Sequence, residues 1–340
     1  MKLNVAAPKY RAPRLRLTPR RIWIYYGLLA IFYAIWIGYM SFADKWALFL
    51  DYWPASLTMS LGSFVAGATA EGGAAVAFPV FTKVLHIPSS DARTFGLMIQ
   101  SFGMTMASVM IFVQRVKVLP RVIGWVSLGG ILGQIVGAYL VTIPDPYPKI
   151  LFTFVATAFG VVMIISRWFM NWSPRDEVAN WNHSRRALFV LVGVVGGTFA
   201  AQTGSGIDML TFIVLTLAFG LNEKISTPTT VVIMGLNSVV GFFIHGAMLQ
   251  DIGGMWNHWL VAVPVVVVGA PLGAYVAHRV SRDSIIVFLL TLISIELVTT
   301  LWLVPFTSLA QILFTVTAVF ICTVFFWVML AYRKKYVGAV

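Results

Sequence analysis

Two stretches of this chain, about 134 positions apart, interrupt long apolar runs with small and polar residues. The first reads GATAEGG, Gly67 to Gly73, inside the apolar run from Leu57 to Leu85. The second reads AAQTGSG, Ala200 to Gly206, inside the run from Ala187 to Leu221. Hydrocarbon offers no water to loose backbone groups, so a break at membrane depth survives only where it lines a protein cavity. Two such breaks at matching places in two halves of a chain point to a transporter's binding site.

That argument requires a membrane protein, and the composition supplies one. The chain is 59% hydrophobic and 11% charged, against about 25% charged in an average soluble domain. The net charge of +12 is concentrated at the ends. Seven basic and no acidic residues lie in Met1 to Arg21, and Arg333, Lys334 and Lys335 follow the last apolar run. Without those ten, 14 basic residues face 12 acidic ones. A basic tail with no folded module beside it does not indicate nucleic acid; it places both termini in the cytoplasm, against anionic membrane lipid. Cys322, the single cysteine, sits in the last apolar run as a packing or lipid-facing residue. The run Ile22 to Phe42, rich in Trp and Tyr, is long for a signal peptide and suits a retained span.

The remaining continuous runs are Ala92 to Val113, Val118 to Val141, Ile150 to Phe169, Thr229 to Ala247, Trp256 to His278, Ile285 to Leu303 and Phe306 to Tyr332. Arg115, Lys117 and Arg121, then Arg175, Arg185 and Arg186, then Arg279 and Arg282 mark cytoplasmic loops; the Asp44/Asp51, Asp145 and Asp251 loops read as external. With one span between Asp51 and Arg115 unbroken, the first broken segment must start and end outside, and by the same count the second must start and end inside. Each is then a hairpin of half-helices, of about 12 to 15 residues, meeting near the midplane. Three spans follow each hairpin, which turns the second half upside down. The expected fold is an all-α polytopic membrane protein, an inverted-topology repeat with two re-entrant-like broken helical hairpins and about eight continuous spans. Its expected parts are a basic cytoplasmic arm (1–21), a peripheral first membrane helix (22–42), repeat 1 (55–169), a cytoplasmic linker (170–186), repeat 2 (187–303), a last membrane helix (306–332) and a basic cytoplasmic tail (333–340). Gly129, Gly130, Gly133 and Gly137 correspond to Gly269 and Gly273, at spacings that let membrane helices approach closely.

The segments AEGGAAVAFPVF and GTFAAQTGSGIDMLTF, with HGAMLQDIGGMWNH and VVVVGAPLGAYVAHRV further on, resemble the repeated signature of the TauE/SafE sulfite-exporter family. The resemblance spans about Leu57 to Leu303. It implies a multi-pass carrier in the bacterial inner membrane for small sulfur-containing anions such as sulfite, sulfoacetate or other sulfonates. The second break departs from the first in lacking a counterpart of Pro79 and in carrying Asp208 after its glycines.

The breaks themselves can hold an anion. Helix N-termini present free N–H groups and partial positive charge, and the second half-helices begin near Gly73 and Gly206. Expected substrate contacts are Thr69, Gly72 and Gly73 in the first break, Gln202, Thr203, Gly204, Ser205 and Gly206 in the second, and Gln100 and Asn237 on the spans that follow. Their plain alternative is helix capping and interhelical hydrogen bonding. No basic side chain lies beside the breaks in sequence. Glu71 and Asp208 would repel an anion if charged, so they fit proton carriers, with capping carboxylates as the alternative; Glu71 is the favoured coupling residue. His245 reads as interfacial, and Glu296 as a packing or cavity-facing residue without a partner nearby in sequence. There is no Walker sequence, no HExxH, and no nucleophile with a base, so neither an enzyme nor a cofactor or metal is expected. The leading function is secondary transport of a small organic or sulfur-containing anion, coupled to protons or another ion. A channel or carrier for a different ion, and a non-transporting membrane scaffold, are the alternatives.

Overall fold

The computed structural model describes residues 19–165, 168, 175–277, 279–304, 306 and 308–337. Most of the expected basic arm, part of the linker and the end of the tail lie outside the described residues. The protein is an all-α polytopic membrane protein: among the described residues there is no strand, and nine helices are long and apolar enough to cross a membrane.

α1 spans Pro19–Phe42 and α2 Leu48–Ala68; after the first break, α3 (Ala74–Pro79) runs on as a π-turn to Val84. α4 (Ser89–Val113), α5 (Pro120–Tyr139) and α6 (Tyr147–Ile164) complete the first half. The second half repeats the order. α7 (His183–Thr203) precedes the second break, α8 (Ile207–Ile213) continues as a π-turn to Ala218, and α9 (Glu223–Phe243), α10 (Met255–Ala277) and α11 (Arg282–Leu303) follow, with α12 (Leu309–Val337) last. The eight expected spans are all present, and α7 is the ninth. One expectation needs correcting. The first arms α2 and α7 are 21 residues each, well beyond the half-helices of about 12 to 15 residues. Both open with charged turns, holding Asp51 in α2 and Arg185 and Arg186 in α7, so the helix extends past the apolar stretch at the bundle's ends.

Packing follows one rule. α2 lies along α10 and α7 along α5; α10 packs on α4 and α9 on α5; α4 meets α9, and α6 meets α11. Exchanging α2–α6 for α7–α11 leaves that pattern unchanged. Glycines make the closest of these contacts possible. A Cβ on Gly67 would fall 1.8 Å from the Ala270 carbonyl oxygen, and one on Gly133 would fall 2.3 Å from that of Val194.

The ends of the broken segments can be located by their contacts. Arg175 N donates to Gly220 O at 2.9 Å and Asn222 N to Arg175 O at 2.8 Å, so the linker before α7 meets the chain just after α8. At the other end, Tyr52 near the start of α2 and Phe81 beyond α3 both pack on His258, with ring centroids 4.6 and 5.6 Å away. Each broken segment thus returns to the end of the bundle from which it set out.

α1 docks on α10 for a chemical reason. Pro264 and Pro271 lack the N–H groups that would bond the carbonyls four residues earlier, those of Leu260 and Val267. Trp36 Nε1 donates to Leu260 O at 2.9 Å and Tyr25 OH to Val267 O at 3.3 Å, satisfying both in the absence of water. Tyr33 OH adds a bond to Pro264 O at 2.7 Å.

The structure overturns one single-residue expectation, at His245, and supplies a distant partner for Glu296. Glu296 has a partner: Lys83 Nζ lies 2.6 Å from its Oε2, Thr153 Oγ1 donates to its Oε1 at 2.7 Å, and both charged side chains are almost fully buried. The pairing escapes the sequence because 213 residues separate the two. His245 is fully buried, with Nδ1 2.8 Å from Asp251 Oδ1, because the π-turn after α9 directs it inward.

Candidate functional site

The two breaks meet in the middle of the bundle. Gly72, at φ +76°, sits in a conformation that favours glycine and presents its bare Cα to the second break. A Cβ there would lie 2.6 Å from Ser205 Oγ, 2.7 Å from Gln100 Oε1 and 2.9 Å from Asp208 Oδ2. Ser205 Oγ donates to Glu71 O at 3.1 Å, tying break to break. Gln100, from α4, donates its Nε2 to Gly204 O at 2.6 Å and to Gly96 O at 3.1 Å. The glycines of the second break serve its turn. Gly204 ends α7 at φ +78°, and Gly206 at φ +133° starts α8. Asp208 Oδ1 accepts from Gly206 N and Met209 N, each at 3.0 Å, so a carboxylate caps α8. Gly73, which begins α3, has no side-chain cap. Glu71 is 2% exposed and its Oε2 has no hydrogen-bond partner.

The expected donors are largely committed within the protein. Thr69 Oγ1 donates to Val65 O at 2.8 Å, and Thr203 Oγ1 to Ser205 O at 2.7 Å. Gln202 Nε2 donates to Gly137 O of α5 at 2.7 Å and to Val141 O just beyond it at 2.9 Å, while its Oε1 accepts from Arg93 Nη1 at 3.3 Å. No basic side chain lies beside the breaks in sequence, but in space Arg93 reaches the second one. Asn237 lies beside Gly130 on α5 and Ile207 at the start of α8, with its amide atoms unpartnered. Gln100, Glu71, Gly72, Ser205 and Asp208 form one cluster; Thr69 and Gln202 face away from it toward opposite ends.

A cavity of about 60 Å³ reaches the first break. Gly67, Ala68, Thr69 and Ala70 form one wall; Phe159, Met163 and Phe212 form an apolar floor; Glu223, Lys224 and Thr227 of α9 contribute polar groups. Ile111, Ala277 and Ile286 also line it, each close in sequence to the basic loops at Arg115, Arg279 and Arg282. The cavity therefore lies toward the end of the bundle that carries those loops. At the second break, Gln202 bridges the end of α5 and Arg93.

The model of the sulfite exporter TauE/SafE family matches residues 55–303. The chain belongs to that family. TauE/SafE proteins are membrane transporters of sulfur anions rather than enzymes, and the match runs from within α2 to the end of α11, leaving α1 and α12 outside. No curated protein and no solved structure matches the chain. Inside the TauE/SafE segment, sequence reasoning missed Arg93, Lys224 and Thr227. Each stands in the first turns of a span, where a polar residue is ordinarily interfacial, and only the helix packing turns it toward a break.

Proposed function

We propose that this protein is a secondary transporter that carries a small organic or sulfur-containing anion, such as sulfite, sulfoacetate or another sulfonate, by alternating access. The observation that carries the proposal is unequal access: the first break borders a cavity, whereas Gln202 and Arg93 close over the second. The basic loops beside the cavity favour its opening to the cytoplasm of a bacterial cell, with both termini on that side. The exchange-symmetric packing, and the return of each broken segment to its starting end, support an inverted repeat of residues 55–169 and 187–303.

An anion arriving through the cavity meets Lys224, Thr227 and Thr69 and then the uncapped start of α3 at Gly72 and Gly73. In the opposite state, Gln202, Thr203, Gly204, Ser205 and Gly206 form the corresponding set, with Gln100 and Asn237 behind the breaks. Glu71, buried without a cation beside it, is the proton-coupling residue. A neutral carboxyl there avoids the cost of an unpaired buried charge and does not repel the anion. Flux in proteoliposomes tests this directly. Sulfite should drive counterflow and inorganic cations should not; Glu71→Gln should keep exchange but lose the response of net flux to a pH gradient. Transport of cations in place of anions would overturn the proposal, and a Glu71→Gln protein that follows the gradient like the parent would remove Glu71 from coupling.

A further inference from the structure

Two hydrogen-bond acceptors face the space beside Gly72. Gln100 Oε1 and Asp208 Oδ2 are buried, and neither has a donor. Rotating the Gln100 amide does not cure this, because its nitrogen already serves two carbonyls, Gly204 O and Gly96 O. Asp208 is fully buried and, among the described residues, has no Lys or Arg at ion-pair distance, and the nearby Glu71 likewise has none. A trapped water would satisfy hydrogen bonds but not the charge. A proton shared between Asp208 Oδ2 and Gln100 Oε1 would satisfy both without an ion, and stability would then follow pH alone. Ser205 Oγ, Gln100 Oε1 and Asp208 Oδ2 all lie within 2.9 Å of the position that a Gly72 Cβ would take, so any side chain there would clash and only glycine lets the three oxygens converge.

We propose that a sodium ion binds beside Gly72, held by Asp208 Oδ2, Gln100 Oε1 and Ser205 Oγ. These are hard oxygen donors, and one carboxylate balances one positive charge. The ion joins three elements: the first break through Gly72, the second through Ser205 and Asp208, and α4 through Gln100. Discontinuous helices that meet at a transporter's centre are a known setting for a coupling ion. The ion's role in coupling rests on the transport function proposed above, whereas its binding rests on the oxygen geometry alone.

Thermal unfolding of the purified full-length protein at fixed pH and ionic strength tests the site, with sodium, potassium and choline chlorides compared. The melting temperature should rise saturably with sodium only, since a ligand of the folded state stabilises by mass action. Asp208→Asn keeps the acceptor that caps α8 and places an amide nitrogen toward Gln100, so it should fold and lose the sodium response. Ser205→Ala removes one ligand and should raise the half-maximal sodium concentration by about tenfold. Equal melting temperatures in all three salts, a melting temperature that follows pH alone, or an Asp208→Asn or Ser205→Ala protein with the parent's sodium response would each overturn the site. Sulfite counterflow separates the two proposals. Sodium-specific stabilisation without counterflow removes the transporter and keeps the ion site; counterflow without sodium-specific stabilisation removes the ion site alone.

Discussion

Thr69 and Thr203 stand at matching places ahead of the two glycine breaks, and each hydroxyl lies within hydrogen-bond reach of the carbonyl four residues earlier, those of Val65 and Phe199, though the Thr203 hydroxyl is closer to Ser205 O. Beyond that shared local chemistry their surroundings diverge. Both are buried, but Thr69 lines a cavity, whereas Thr203 lies beside Gln202, which is held by two carbonyls at the α5 end and by Arg93. The outer ends of the short arms differ too. The arm after the first break carries Lys83, ion-paired to Glu296 of α11, while the corresponding stretch after the second, Val214–Ala218, carries no charged residue. Two segments built on one pattern thus differ in what lies at their ends. In a repeat protein, that is where one state of a cycle is distinguished from the other.

The largest effect is expected at the ion pair, the sharpest chemical difference between the halves. Lys83→Met leaves Glu296 charged and buried, and should cost about 3–5 kcal/mol of stability, whereas adding Glu296→Leu should recover most of that loss. Thermal unfolding of both variants decides it; equal losses in the single and double variants would show that the pair is not what anchors this arm.

Next come the features the halves share. Gly67→Ala and Gly133→Ala each drive a methyl group into the backbone of the partner helix and should each destabilise by about 1–3 kcal/mol or more. Gly62→Ala meets the flexible end of Met59 at 3.3 Å and the Val76 Cβ at 3.4 Å, with no backbone in the way, and should be tolerated. Sensitivity at only one of the two close contacts would break the packing equivalence of the halves.

The smallest effect concerns access. In a Cys322→Ser background, a small impermeant thiol reagent should modify Thr69→Cys from the cytoplasmic face and leave Thr203→Cys protected. Adding Arg93→Ala removes one hydrogen bond from the seal, worth about 0.5–1.5 kcal/mol, and should raise labelling of Thr203→Cys from the opposite face a few-fold. Labelling of Thr203→Cys from the cytoplasmic face would contradict the assignment of the two breaks to opposite sides.

The breaks, the eight continuous spans and the basic ends of the loops were legible in the sequence, because each depends on local composition: glycine and polar residues inside apolar runs, run length, and clusters of Arg and Lys. The glycines of α5 and α10 were legible as close-contact positions for the same reason. What escaped was set by tertiary packing. Nothing near Glu296 announces Lys83, and nothing near Gln202 announces Arg93, 109 residues away. Arm length was misjudged because apolarity marks the part of a helix that lies in lipid, not the charged turns that α2 and α7 carry beyond it. For Asp208, the cap through one carboxylate oxygen was the alternative to a proton-carrying role, and the approach of the other oxygen to Gln100 could not be read from the sequence.

The crossed packing of first arms onto opposite halves also sets a timetable for synthesis. α7 emerges after its partner α5 is already made, but α2 is complete at Ala68 and its partner α10 begins only at Met255. At typical elongation rates of about 5–20 residues per second, α2 waits roughly 10–40 s before the helix that covers its glycine face exists. For that interval the nascent first break, with Glu71 in it, has to be sheltered by the insertion machinery or held at the membrane surface. Slowed translation between the halves should therefore harm the yield of this protein more than slowed translation after α10.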